Sequence, residues 1–271
     1  MSRKKVGLAL GSGAARGLAH IGVLEVFQRE GIPIDMIAGT SAGALVGAIF
    51  AQGRAAHLIK EAALSLDRRR VVRLLDITIL RNGFIEGRRL TNVLRGTIAG
   101  EIRFSDLKIP MAVVATDIMT GEEVVISEGS VLEAVRASIS LPILFTVAKW
   151  KGRYLVDGGL VNPVPVSVLK EMGADLVIAV NVIPDPAEMV SGIIGKEKAG
   201  GNRGPNIIHV IVHSFYIGTY GLVKNCLEAA DVVIQPRVAH VHPYEFSNCI
   251  ECIQQGEIAA QAAIPEIKRL L

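Results

Sequence analysis

The sequence predicts a single α/β domain, a three-layer α/β/α sandwich around a mainly parallel sheet. Three observations lead there. First, half of the 271 residues are hydrophobic, yet only 4% are aromatic. Glycine and the small and branched aliphatics carry the apolar content, as buried near-continuous strands of a parallel sheet require. Second, the chain opens as strand, glycine loop, helix, strand, tight turn and helix, which is a βαβ unit with a right-handed crossover. Third, no internal repeat and no clean boundary divides residues 1–271. The core is expected over about 5–182, a mobile loop over about 184–205, and C-terminal helices with a last strand over about 206–271.

Val6 to Leu10 is a short apolar run closed by glycine, hence a buried strand. Leu18, Ile21, Leu24 and Phe27 recur at helical spacing before Gly31, so a helix is expected from Gly17 to Glu30. A second strand is expected over Ile34–Ala38 and a helix over Ala42–Gln52. Helices follow at His57–Leu66 and Arg88–Thr97, with a loop at Arg81–Gly87. Met111–Thr116 and Glu123–Ile126 read as strands joined by a turn at Thr120-Gly121. Val131–Ser138 reads as helix, Tyr154–Val156 as strand, Val166–Met172 as helix and Leu176–Asn181 as strand. Ile207–Ala229 is a long buried helix, Val232–Gln235 the last strand, and a final amphipathic helix carries Ile250 to Leu270 onto the core.

Three segments carry chemistry. Gly39-Thr40-Ser41-Ala42-Gly43 fits G-x-S-x-G between a strand and a helix. A sharp turn there strains the central residue and presents the Ser41 hydroxyl at a helix N-terminus, which favours negative charge. Gly11-Ser12-Gly13-Ala14-Ala15-Arg16-Gly17 is one residue too long for the dinucleotide fingerprint, and no well-placed acid follows it. Its amides at a helix start suit an oxyanion hole, with Gly11, Gly13, Ala14 and Arg16 as candidate contributors. Arg16 braces the loop or adds positive charge. If the first two strands are neighbours, the loop and the serine turn open on the same sheet edge. Asp157-Gly158-Gly159 ends a strand, putting a carboxylate at that edge as the base a serine needs. A triad histidine is also available: His240 and His242 lie in a loop, His209 and His213 in a long helix. His20 is near the glycine loop.

These three motifs, in this order, resemble the patatin-like phospholipase family. Ala115-Thr116-Asp117, Thr120-Gly121 and the stretch from Ala137 to Pro142 resemble it too. The likeness covers about residues 5–182 and is closest to small bacterial members related to the neuropathy target esterase catalytic domain. It implies a Ser-Asp dyad, with Ser41 as nucleophile, Asp157 as general base and no required histidine. Amides near Gly13 and Ala14, with that of Ala42, would hold the oxyanion. Gly17, Gly39, Gly43, Gly158 and Gly159 support the motifs. The substrate implied is a phospholipid or lysophospholipid ester, with no metal and no cofactor. An aspartate acting as base should be buried enough to raise its pKa. Many members carry three consecutive glycines where Ser12 and Ala14 interrupt the run here, and the alanine Cβ narrows the site.

A net charge of +3 gives no sign of a nucleic-acid partner. Arg68, Arg69, Arg70, Arg73, Arg81, Arg88, Arg89 and Arg95 nevertheless stand against only Asp76 and Glu86. That run is a solvated basic face or a patch for anionic lipid headgroups. The apolar island Met189–Ile194 is a second candidate for lipid contact. Three cysteines, Cys226, Cys249 and Cys252, argue for a reducing compartment. The CxxC at Cys249 reads as two core-facing side chains. The basic N-terminus and the strand after it are too interrupted for a secretory segment. The expected location is the cytoplasm, with peripheral contact at the inner face of the membrane left open, as is the oligomeric state. A triad esterase and a non-catalytic regulatory protein that keeps the hydrolase fold are the competing readings.

Overall fold

A computed structural model describes residues 3–65, 87–98, 102–142, 145–188, 207–243 and 245–271. Arg68, Arg69, Arg70, Arg73 and Arg81, and the apolar island 189–194, lie outside these residues, as does most of the expected mobile loop.

The strands are β1 (Val6–Leu10), β2 (Met36–Thr40), β3 (Met111–Asp117), β4 (Glu123–Ile126), β5 (Ala148–Trp150), β6 (Arg153–Asp157), β7 (Leu176–Val180) and β8 (Val232–Ile234). The helices are α1 (Ala19–Glu30), α2 (Ala42–Ala51), α3 (Ala56–Ser65), α4 (Gly87–Thr97), α5 (Val131–Ser138), α6 (Val166–Glu171), α7 (Ile207–Glu228) and α8 (Cys249–Leu270). The strands form one sheet in the order β5-β6-β3-β2-β1-β7-β8, with β4 also on β3. β3-β2-β1-β7-β8 is parallel. β4, β5 and β6 add antiparallel pairs at the β3 end.

Strand side chains alternate between two cores. Val6, Leu8, Leu10, Ile37, Val113 and Ile178 face the core shared with α1, α2, α5 and α8. Ala9, Ala38, Val114 and Ala179 face the core shared with α6 and α7. Every residue of β1, β2, β3 and β7 is buried, because helices cover both faces of that part of the sheet. The three-layer architecture is as expected.

Three details differ from the sequence reading. β2 sits two residues later, because pairing of Gly7 with Met36 and Leu10 with Gly39 fixes its register rather than the apolar onset at Ile34. The first helix begins as a 3-10 turn, Ala14–Leu18, before α1. β6 reaches the expected edge from the opposite direction, antiparallel to β3 and paired with the three-residue strand β5.

That reversal sets up the site. β2 pairs with β3 up to Thr40–Val114, and β6 pairs with it from Asp157–Ala115. β4 spans Val113 to Thr116 of the same strand and so takes the other edge. β2 and β6 therefore meet end to end along one edge of β3.

Close packing of α8 on α1 locks the C-terminus onto the core. A Cβ on Gly256 would lie 2.0 Å from the carbonyl oxygen of Ala19. Gly256→Ala should lower stability by about 2 kcal/mol through overpacking, read as a shift in the urea midpoint, while exposed Gln254→Ala should leave it within about 0.5 kcal/mol.

Candidate functional site

Ser41 stands between β2 and α2 at φ 54°, ψ −118°, a left-handed conformation that is strained for any residue with a side chain. The turn closes only because its flanks are small: a Cβ on Gly43 would lie 2.0 Å from the Leu10 carbonyl oxygen. The Ser41 hydroxyl donates to Asp157 Oδ2 at 2.6 Å. The second carboxylate oxygen, Oδ1, accepts from the Gly159 amide at 2.8 Å. Asp157 is 2% exposed and Ser41 7%. Desolvation pushes the Asp157 carboxyl up to about 6, against the hydrogen bonds from Ser41 and Gly159.

Hydroxyl groups fasten the two strand ends. The Ser41 amide donates to Ser138 Oγ at 2.8 Å, and that hydroxyl donates to the Val114 carbonyl at 2.6 Å. Thr116 donates to the Asp157 carbonyl at 2.8 Å, and the Asp157 amide to the Ser140 carbonyl at 3.0 Å. Thr40 donates to the Asn162 carbonyl at 2.9 Å.

The glycine loop lies against the serine turn: a Cβ on Gly17 would come 2.4 Å from that of Ala42. Two of its expected donors are already committed. The Gly11 amide donates to the Val180 carbonyl at 3.0 Å, and that of Arg16 to the Gly13 carbonyl at 3.1 Å. Arg16 instead braces the loop from within. Its buried guanidinium donates to the Val241 carbonyl at 2.7 Å and lies over the Tyr216 ring at 5.8 Å. His20 acts likewise, its Nε2 lying 2.8 Å from the Gly11 carbonyl. Complete burial pushes the His20 imidazole down to about 4, so the neutral ring donates that bond. The amides of Gly13, Ala14 and Ala42 donate to no carbonyl among the described residues. Gly13 and Ala14 precede and open a 3-10 turn and Ala42 opens α2, where amides lack partners within the element.

The other histidines stand elsewhere. His240 Nε2 lies 2.6 Å from Glu251 Oε1 at the surface. His242 meets His213 ring edge to face at 6.5 Å. Neither hydrogen-bonds Asp157. The side chain of His209 is outside what the structure describes. Sequence reasoning gave no role to Ser138, Ser140 or Thr116, although it singled out the segments that hold them. It missed Tyr216, which sits mid-helix with no motif around it. Among the described residues, no group of three or more His, Cys, Asp or Glu is arranged to hold a metal ion.

A model of the Patatin-like phospholipase family matches residues 8–170. An uncharacterized NTE family protein of Mycobacterium tuberculosis is 40% identical over 184 residues, covering 67% of this chain and 50% of that protein. Neuropathy target esterase sws of Drosophila melanogaster is 35% identical over 189 residues, covering 67% of this chain and 13% of that protein. The chain thus spans about half the length of the mycobacterial relative. VipD from Legionella pneumophila superposes with a TM-score of 0.56 at 15% identity, covering 97% of this chain and 67% of that one, a likeness of fold.

The raised Asp157 pKa makes a stability prediction. From about pH 4 to 6 the folded protein holds a proton that the unfolded chain has released, so this group costs stability as pH rises through that window. The cost above pH 6 is roughly 3 kcal/mol. His20 works oppositely, because the unfolded chain binds a proton that the buried ring refuses between its ordinary value and about 4. Asp157→Asn should therefore be more stable than wild type at pH 8 and nearly equal at pH 4 in chemical denaturation. A difference that stays constant over that range would rule out a raised carboxyl pKa.

Proposed function

Since the chain belongs to the patatin-like phospholipase family, we propose that it is a serine acyl hydrolase that cleaves carboxylic esters of phospholipids or lysophospholipids with a Ser-Asp dyad. One observation carries the reading: the hydroxyl of a strained Ser41 donates directly to a fully buried carboxylate at 2.6 Å.

The steps follow from that contact. Asp157 accepts the Ser41 proton as Oγ attacks the ester carbonyl. The amides of Gly13, Ala14 and Ala42 stabilise the oxyanion of the tetrahedral intermediate. Each such donor is worth about 3–4 kcal/mol where one has been removed from a hydrolase. Collapse expels the alcohol, which takes the proton back from Asp157, and leaves an acyl-serine. Water then attacks that ester as Asp157 takes its proton, and Asp157 returns that proton to Ser41 Oγ as the fatty acid leaves. Burial raises the basicity of Asp157 from that of an ordinary carboxylate toward neutrality, where a general base works best. No cofactor enters the proposed cycle. The reading includes peripheral contact with an anionic lipid surface. Among the described residues, no helix is long and apolar enough to cross a membrane.

A fluorophosphonate probe, located by peptide mapping, tests the dyad. Wild type should label at Ser41, and Ser41→Ala should not. Asp157→Asn should label roughly 10²–10⁴-fold more slowly, while the double variant His240→Ala/His242→Ala should keep the wild-type rate. An Asp157→Asn protein that labels at full rate would falsify the assignment of the base.

With a lysophospholipid substrate, kcat/KM should fall tenfold per pH unit below about 6, because protonated Asp157 cannot accept the serine proton. A profile flat from pH 5 to 8 would count against Asp157 as the base.

A further inference from the structure

A cavity of about 290 Å³ opens between α4 and α5, away from the residues assigned to ester cleavage. Arg95 from α4, Arg103 from the segment before β3 and Arg136 from α5 all line it. Glu133 is the one acid among the described residues of its lining. Arg95 is also the last member of the basic run that stands out in the sequence.

Arg136 forms the buried part of the wall, at 7% exposure. Its guanidinium donates to the Ser140 hydroxyl and to the carbonyl and hydroxyl of Thr146, at 2.8 and 2.9 Å for the latter two. All three acceptors are neutral, and no carboxylate among the described residues pairs with it. Burial lowers its pKa, and no charge among the described residues opposes that effect. A buried cation held only by neutral groups retains a demand for negative charge. The first turn of α5 opens on the same cavity: Ser130 caps it, and the helix dipole there favours an anion. Guanidinium forks match the oxygens of a phosphate better than a single ammonium would.

We propose that this cavity is a second binding site, one that takes a phosphate group, either free in solution or as the terminal phosphate of a lipid headgroup. It requires nothing of the Ser41 chemistry. The fit is a doubly charged tetrahedral anion seated between the guanidinium groups of Arg95, Arg103 and Arg136. The α5 helix joins it to the nucleophile, since Ser138 at the far end of α5 accepts the Ser41 amide.

The test uses the Ser41→Ala protein, so that hydrolysis does not intrude and failure of the dyad leaves the result intact. Two probes are titrated at constant ionic strength: inorganic phosphate by calorimetry, and phosphatidylcholine vesicles with and without phosphatidic acid by flotation. Binding of phosphate, with release of vesicle-bound protein by it, identifies a site for phosphate from either source. Flotation that needs phosphatidic acid and resists free phosphate identifies the headgroup. In either case Arg95→Gln/Arg103→Gln, which alters exposed side chains and should fold as wild type by circular dichroism, must weaken binding by roughly tenfold or more. Binding that the double variant retains in full, or no binding of either probe, overturns the proposal.

Discussion

Two strands running in opposite senses end against each other along one edge of β3, and the rest of the site depends on that junction. Thr40 pairs with Val114, and Asp157 pairs with the very next residue, Ala115. Strands of a purely parallel sheet would hold their carboxyl ends about 4.8 Å apart or more, side by side. Here the residue after one strand meets the last residue of the other head-on. Serine and aspartate then touch without an imidazole to bridge them. Ser138 at the end of α5 and Ser140, two residues on, fasten one strand end each. One short stretch of chain thus holds both halves of the junction.

The junction is an expensive piece of structure. Ser41 occupies a backbone region that costs about 1–3 kcal/mol, and burial penalises the charged form of Asp157. Both stay in place because the surroundings over-determine them. β1, β2, β3 and β7 are buried throughout, and the glycines of the serine turn let backbone approach backbone. Arg16 and His20 are buried polar groups given to shaping one loop. The large core offsets what the site costs, so the fold's stability and the site's reactivity draw on opposite tendencies of the same packing.

Much of this was legible in the sequence because it is local. The bounds of β1, β4 and α5 follow directly from apolar spacing and caps, and Ser41 and Asp157 stand out through their neighbouring glycines. What escaped is what distance in the chain hides. β2 was displaced by two residues because register is a property of pairs. β5 went unseen because a three-residue edge strand, none of it fully buried, has too little apolar content to signal itself. The direction of β6 could not be read either, since an apolar run looks the same from both ends. Ser138 reaches Ser41 across 97 residues and Arg16 reaches Val241 across 225. Gly11 and Arg16 were expected among the amide donors of the oxyanion hole. Composition marks a glycine loop as donor-rich, but only the folded chain reveals which amides are already spent.

The glycine loop is held largely by residues beyond 170, past the stretch that the family model matches. Val180 accepts from Gly11, Pro243 from Ala15 and Val241 from Arg16, while Tyr216 lies under the guanidinium. A piece cut to residues 8–170 would carry the serine and the aspartate without the groups that hold the glycine loop beside them. The smallest piece of chain that keeps the site's shape is larger than the piece that carries its motifs.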